Sequence, residues 1–362
     1  MMLQGHFVDT MLHPDFRSKE YTLYYIWEFM RGMTAPIFFF TTGLIFVFLL
    51  LKQNPNPYKN KRVVKGIRRG FYIIAIGYLL HLNFFALLAM VYSNWYIAVD
   101  VLHCIGLAII AMIGLFFLSW HTKISFVAIL GIAGLAVFYF SPQVKAMDWS
   151  HLPLFFEQYM DKKHGSIFTP IPWFGFTFLG GFLGAWLHHH PKAAFQWSFP
   201  IFLLITGLLL HYHSWTILVA LYNWTALENL PGLFNNNYLF WRLGHVFVVM
   251  SIIIALCNIF QKIPNLITKI GSETLAIYSV HYIILYGSWF GIGLAQIWRK
   301  SLHPYEVIIG AALFITAFVF MVKYIDDIRS FRDNKVKVKL LQAWKWAKER
   351  LMTQYLKWST KK

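Results

Sequence analysis

Charge is scarce in this chain. Of its 362 residues, 13% are Asp, Glu, Lys or Arg, about half of the ~25% usual in soluble domains. With 58% of residues hydrophobic, so little charge argues against a water-exposed globule. Acidic residues are the scarcer kind: 15 Asp and Glu stand against 32 Lys and Arg, a formal net charge of +17. Cysteine is nearly absent. Cys104 and Cys257 both lie inside apolar runs, so no disulfide framework is implied. There is no basic stretch ahead of the first apolar residues, so no cleavable signal peptide is expected. Internal repeats, low-complexity segments, glycine-rich nucleotide motifs and metal-spaced Cys/His sets are all missing. The contiguous His188, His189 and His190 point in different directions on a helix and are expected to be solvated, so no metal site is expected. The basic residues gather in a few inter-helix loops and in the tail, which argues against a nucleic-acid partner.

Long apolar runs are what the chain does have. They fall at about 29–51, 70–92, 99–118, 125–141, 171–187, 199–221, 238–260, 272–296 and 305–324. Each is near the ~20 residues a helix needs to cross a bilayer. Residues 1–12 are apolar but too short to span alone. The expected fold is all-α: a polytopic transmembrane helix bundle of about nine full spans plus a partial first span. The lipid bilayer is therefore its first partner, and most runs contain internal glycine, as packed membrane helices do. Residues 1–324 read as the membrane domain and 325–362 as a basic amphipathic cytoplasmic tail. In that tail Leu340, Trp344, Ala347, Leu351, Tyr355 and Trp358 follow helical spacing between lysines, as in an interfacial helix.

Orientation follows from the Lys/Arg asymmetry. If the 52–69 loop is cytoplasmic, alternation puts 119–124, 188–198, 261–271 and the C-terminus there too. These segments hold most of the 32 Lys and Arg, against Arg17, Lys19, Lys145, Lys162, Lys163, Arg299 and Lys300 on the other side.

Ionisable residues within membrane segments are costly and mark function. Four pairs spaced i, i+3, and so sharing a helix face, stand near span ends: His6/Asp9, Glu28/Arg31, Asp100/His103 and Arg242/His245. In the orientation above all four lie toward the extracytoplasmic side, which suggests one polar chamber. His81 reads as a satisfied helix–helix contact, while His211, His213 and His281 are deep enough to line the chamber. In the first pair, Asp9 would hold the His6 imidazole in one tautomer and leave its other nitrogen free as a base.

Several blocks are familiar together. Gln4-Gly5-His6-Phe7 precedes Phe29-Met30-Arg31-Gly32-Met33-Thr34-Ala35-Pro36-Ile37-Phe38-Phe39-Phe40. Later come Thr169-Pro170-Ile171-Pro172-Trp173-Phe174-Gly175-Phe176 and Gly271-Ser272-Glu273-Thr274-Leu275-Ala276-Ile277-Tyr278-Ser279-Val280-His281. In order and spacing they resemble the heparan-alpha-glucosaminide N-acetyltransferase family and its bacterial relatives, within the wider transmembrane acyltransferase superfamily. The likeness runs over nearly the whole chain. It implies an integral protein of a bacterial inner membrane, with its C-terminus cytoplasmic. The protein would move an acetyl or other acyl group from cytoplasmic acyl-CoA to an extracytoplasmic sugar or glycan, with acyl-CoA as co-substrate and no metal. His6 occupies the place of the superfamily's essential histidine at the exit of the first span, with Asp9 beside it. Relatives carry an Arg…Asp…Arg-Gly segment ahead of that histidine, so an upstream start, or an impaired chain, is expected.

The resulting expectations are specific. His6 with Asp9 does the proton chemistry, or His6 carries the acyl group. Substrate and oxyanion contacts come from Arg31, Glu28, Asp100, His103, Arg242, His245 and His281. The acyl-CoA head docks on Lys59, Lys61, Arg62, Lys65, Arg68 and Arg69. The 142–170 loop, with Trp149, Phe155, Phe156, Glu157 and Asp161, covers the acceptor. A homodimer is compatible with the sequence. Two other classes fit an ionisable chamber: a polytopic transporter, and a di-haem membrane oxidoreductase built on His81, His103, His211 and His281.

Overall fold

The computed structural model describes residues 1–260 and 262–331, with Trp344 and Glu349 beyond them. Among these residues every regular element is helical. The helices that matter for function are α1 Met2–Met11, α2 Thr22–Arg31, α3 Thr34–Leu51, α4 Lys61–His81, α5 Val101–Thr122 and α6 Phe126–Ala146. They continue with α7 Pro170–His189, α8 Ser198–Thr225, α9 Tyr238–Ile259, α10 Thr274–Tyr286, α11 Pro304–Lys323 and α12 Ile325–Phe331. Seven helical segments among the described residues are long and apolar enough to cross a membrane: Thr22–Leu51, Asn94–Thr122 and those of α6, α7, α8, α9 and α11.

Two of the nine expected spans are not among the seven, and local chemistry accounts for both. The run at 70–92 does not begin a helix. Asn60 begins it earlier, its side chain accepting the Arg62 N–H as an N-cap. Lys61, Arg62, Lys65, Arg68 and Arg69 therefore lie on the first turns of α4 rather than in a loop, with Val63, Gly66, Gly70 and Ile73 on its buried face. The helix stops at His81 where Leu82 turns extended, and a separate short helix forms at Phe84–Leu88. The run at 272–296 breaks after Tyr286. Gly287 is left-handed at φ 71° and Gly291 at 72°, a backbone region open to glycine. The 13 residues of α10 rise only about 20 Å, short of the ~30 Å hydrocarbon layer. The partial first element, α1, has 10 residues and rises about 15 Å.

Close backbone contact builds the bundle. Where α3 meets α7, a β-carbon on Gly43 would overlap the Thr177 carbonyl, and one on Gly180 would overlap the Phe40 carbonyl. Glycine is thus a condition of this crossing. Apolar packing then divides into two cores. The larger runs through α3 to α9 and includes Phe39, Leu80, Leu102, Phe176 and Val246. The smaller joins α1, α10 and α11 through Phe7, Met11, Leu285, Val307 and Phe314. The α10 helix serves both, with Tyr278 in the larger core and Ile277 and Leu285 in the smaller.

At the basic end of the bundle α12 is tied to the start of α10. Arg329 grips Glu273 with both guanidinium nitrogens, at 2.8 and 2.6 Å, and Lys269 meets Asp326 at 2.6 Å. The Glu273 fork raises the Arg329 pKa, and the Lys269 ammonium lowers that of Asp326. The amphipathic helix expected at 334–362 lies outside the described residues, apart from an exposed Trp344.

Candidate functional site

One large cavity, about 1570 Å³, lies along α10 between the two cores. At the basic end its walls are Ile270, Gly271, Thr274 and Val319; at the other they are Asn83, Ser93, Trp95 and Lys162. Since α10 runs from Thr274 to Tyr286 between these groups, the cavity follows the helix from end to end. Crowding by protein lowers the pKa of the Lys162 ammonium at the rim.

Each of the four sequence pairs sends at least one member to this cavity: His6 and Asp9, Glu28 and Arg31, Asp100, and Arg242. Their pairing mostly differs from the local one. Asp9 does not orient His6. Its carboxylate is held by Arg31 at 2.7 Å and Arg17 at 3.6 Å, which also leaves Glu28 without Arg31. Arginine outcompetes a neutral imidazole for a carboxylate because it offers a charged fork of donors. The partner of His6 is Tyr286, its hydroxyl 3.0 Å from Nδ1. His281 stacks on His6 with ring centroids 5.1 Å apart. The Nδ1 of His281 points at the Ile277 carbonyl at 3.2 Å, so that nitrogen carries the proton and Nε2 does not. His281 is fully buried and supports His6 from behind.

Only Asp100/His103 is a bonded pair, with Nδ1 at 2.8 Å from Oδ1. Asp100 caps α5, accepting the Leu102 and His103 N–H groups, where the helix dipole favours an anion. Its Oδ2 accepts the Tyr278 hydroxyl at 3.1 Å and faces His81 Nε2 at 3.4 Å. His103 is 0% exposed and does not line the cavity.

Arg242 is 9% exposed and meets no carboxylate among the described residues. It donates to the Phe29 carbonyl at 3.2 Å, lies over the Trp241 ring at 4.7 Å, and fits because Gly32 has no side chain. Its helix neighbour His245 turns away to His211, with nitrogens 2.8 Å apart.

Other expected contacts do not converge here. None of Lys59, Lys61, Arg62, Lys65, Arg68 and Arg69 lines the cavity; Lys59 ends the short turn before α4 and the others sit on the first turns of α4, which packs on α5. The 142–170 loop does reach the cavity, but through Lys162, Ile167 and Phe168. Trp149, Phe155, Phe156, Glu157 and Asp161 are not in its wall. Ser166 pins this loop, bonding Gln158 and accepting the Val99 N–H. Residues missed in the sequence are His81, Trp95, Tyr282 and Tyr286, all lining the cavity. Tyr278, Tyr282 and Tyr286 recur every four residues, so they share a helix face, and that spacing was the available signal. Among the described residues no group of three or more His, Cys, Asp or Glu is arranged to hold a metal.

The family model for the heparan-alpha-glucosaminide N-acetyltransferase catalytic domain matches residues 1–219, which include α1 to α7 and most of α8. No curated protein and no solved structure matches the chain.

Proposed function

Because the chain belongs to the heparan-alpha-glucosaminide N-acetyltransferase catalytic family, we propose that it moves an acetyl group from acetyl-CoA on the basic side of the membrane to a sugar on the other side. The observation that carries this reading is the cavity along α10, walled at one end by Ile270, Gly271 and Thr274, at the other by Trp95 and Lys162, with His6 between. A thioester on its pantetheine arm enters from the first end and an acceptor from the second.

His6 is the reactive group. With its proton on Nδ1, donated to the Tyr286 oxygen, the Nε2 lone pair is free. That nitrogen attacks the acetyl carbonyl carbon, the C–S bond breaks, and the thiolate leaves toward the basic end. An acceptor amine or hydroxyl then attacks the acyl-imidazole, breaks the carbon–Nε2 bond and restores His6. Arg242, a buried guanidinium with no carboxylate partner, stabilises the oxyanion of both steps. The coenzyme's anionic head stays at the basic surface, near Lys269, which precedes the wall residues Ile270 and Gly271.

The test uses the protein in sealed vesicles, with radiolabelled acetyl-CoA added on the basic side and glucosamine trapped on the other. Labelled N-acetylglucosamine inside is the expected product. Vesicles that form none, with the protein in either orientation, would remove this reading.

A further inference from the structure

An acyl-imidazole still needs its acceptor deprotonated, and His6 cannot do this while it carries the acetyl group. The cavity wall contains a second imidazole placed for it. His81, at the end of α4, is 3% exposed and lines the cavity. Its Nε2 faces Asp100 Oδ2 at 3.4 Å. Both ring nitrogens are buried and neither makes a hydrogen bond among the described residues, and Nδ1 faces no carboxylate there either. A carboxylate on one nitrogen and nothing on the other is the arrangement of a histidine base. Such contacts are often long in an empty site and tighten on loading.

We propose that His81, held by Asp100, is the base for the acceptor, a role separate from that of His6. This rests on the acetyltransferase reading above and assigns a second imidazole within it. The Nε2–H of His81 donates to Asp100, leaving the Nδ1 lone pair free. As the acceptor nitrogen or oxygen bonds to the acetyl carbon, its proton passes to His81 Nδ1. The carbon–Nε2 bond to His6 breaks, and the proton goes on from His81 to the departed coenzyme thiolate. The sum is acetylated acceptor plus free thiol.

His81 is better placed for this than His103, which shares the carboxylate but has no cavity face. Its surroundings are consistent with the role. Besides Asp100, it faces His103 at 5.5 Å and Tyr282 at 5.9 Å between ring centroids, and Trp95 leans over it at 4.7 Å. Apart from Asp100, none of these neighbours carries a fixed charge. Trp95 offers the flat apolar face on which a sugar ring stacks, beside the base rather than beside His6.

Two acceptors separate this role from a structural one. Glucosamine is mostly protonated at neutral pH and needs a base; hydroxylamine is mostly unprotonated and does not. In H81Q and H81N, acetyl transfer to glucosamine should fall by about 10²–10⁴, the usual contribution of a placed base. Transfer to hydroxylamine should stay within a few-fold of wild type, and the residual glucosamine rate should climb at high pH. Two results overturn the assignment and leave the enzyme standing: glucosamine transfer within threefold of wild type, or equal loss with both acceptors in both variants. A wild-type protein that acetylates neither acceptor removes the acetyltransferase reading, and the role of His81 with it.

Discussion

His6 shares its hydrogen bond with a residue 280 positions away, and the carboxylate three positions away goes elsewhere. This exchange sorts the site chemistry into testable parts. His6→Ala should lower acetyl transfer by about 10²–10⁴. Tyr286→Phe removes one neutral hydrogen bond, a net ~0.5–1.5 kcal/mol, and should slow transfer by roughly two- to tenfold. Asp9→Asn should slow it less, because Asp9 answers to Arg31 and Arg17. Initial rates for the three variants in one vesicle preparation decide this, and a larger loss in Asp9→Asn than in Tyr286→Phe would return Asp9 to the role of orienting His6. Local spacing identified which residues gather, since each of the four pairs contributes to one cavity wall. It gave the bonding only for Asp100/His103, where capping a helix fixes both side chains within one turn. Glu28, Arg242 and His245 have partners, or none, that depend on how α2, α8 and α9 pack, which the helix period does not encode. The sequence reads His81 as satisfied because it places the residue on a helix but does not say that Nε2 faces Asp100 without a formed hydrogen bond and that Nδ1 faces no carboxylate.

The elements show why span counting by apolar runs over-reads. Hydropathy alone does not register where a helix begins, and Asn60 starts α4 within the basic stretch. Nor does it register where a helix must end, and the left-handed Gly287 stops α10 with apolar residues still to come. The long helices α3, α5 to α9 and α11 were legible because their apolar runs are continuous over most of their length, with Pro142 in α6 and the non-helical Ile171 in α7 lying near helix ends. Helix contact is a sharper matter. At Gly180 an added methyl meets the Phe40 backbone, while at Gly114 it meets nothing within 4 Å. Gly180→Ala should therefore destabilise by about 1–3 kcal/mol, the usual cost of overpacking. Gly114→Ala should stabilise by about 0.5–1 kcal/mol through helix propensity. Thermal unfolding in detergent compares them, and midpoints that shift alike would mean the α3–α7 crossing tolerates a side chain.

At the scale of the whole molecule, the Lys/Arg asymmetry predicts how the bundle is oriented. A cysteine replacing Arg62 should react with impermeant maleimide only from the cytoplasmic side, and one replacing Lys162 only from outside. The opposite pattern would invert the protein and the direction of transfer with it. The family match covers the first 219 residues, yet the wall residues Tyr278, Tyr282 and Tyr286 come from beyond it, so the remaining helices complete the cavity. The two cores on either side of it give the site an unusual mechanical character. His6 is rooted in the smaller body through Phe7 and Met11, and His81 in the larger through Leu80, with α10 as the shared rail. Neither core alone fixes the gap between the two imidazoles. That gap is the opening of a vice with a different core behind each jaw, so a substitution that loosens either core is expected to alter the spacing of the two rings.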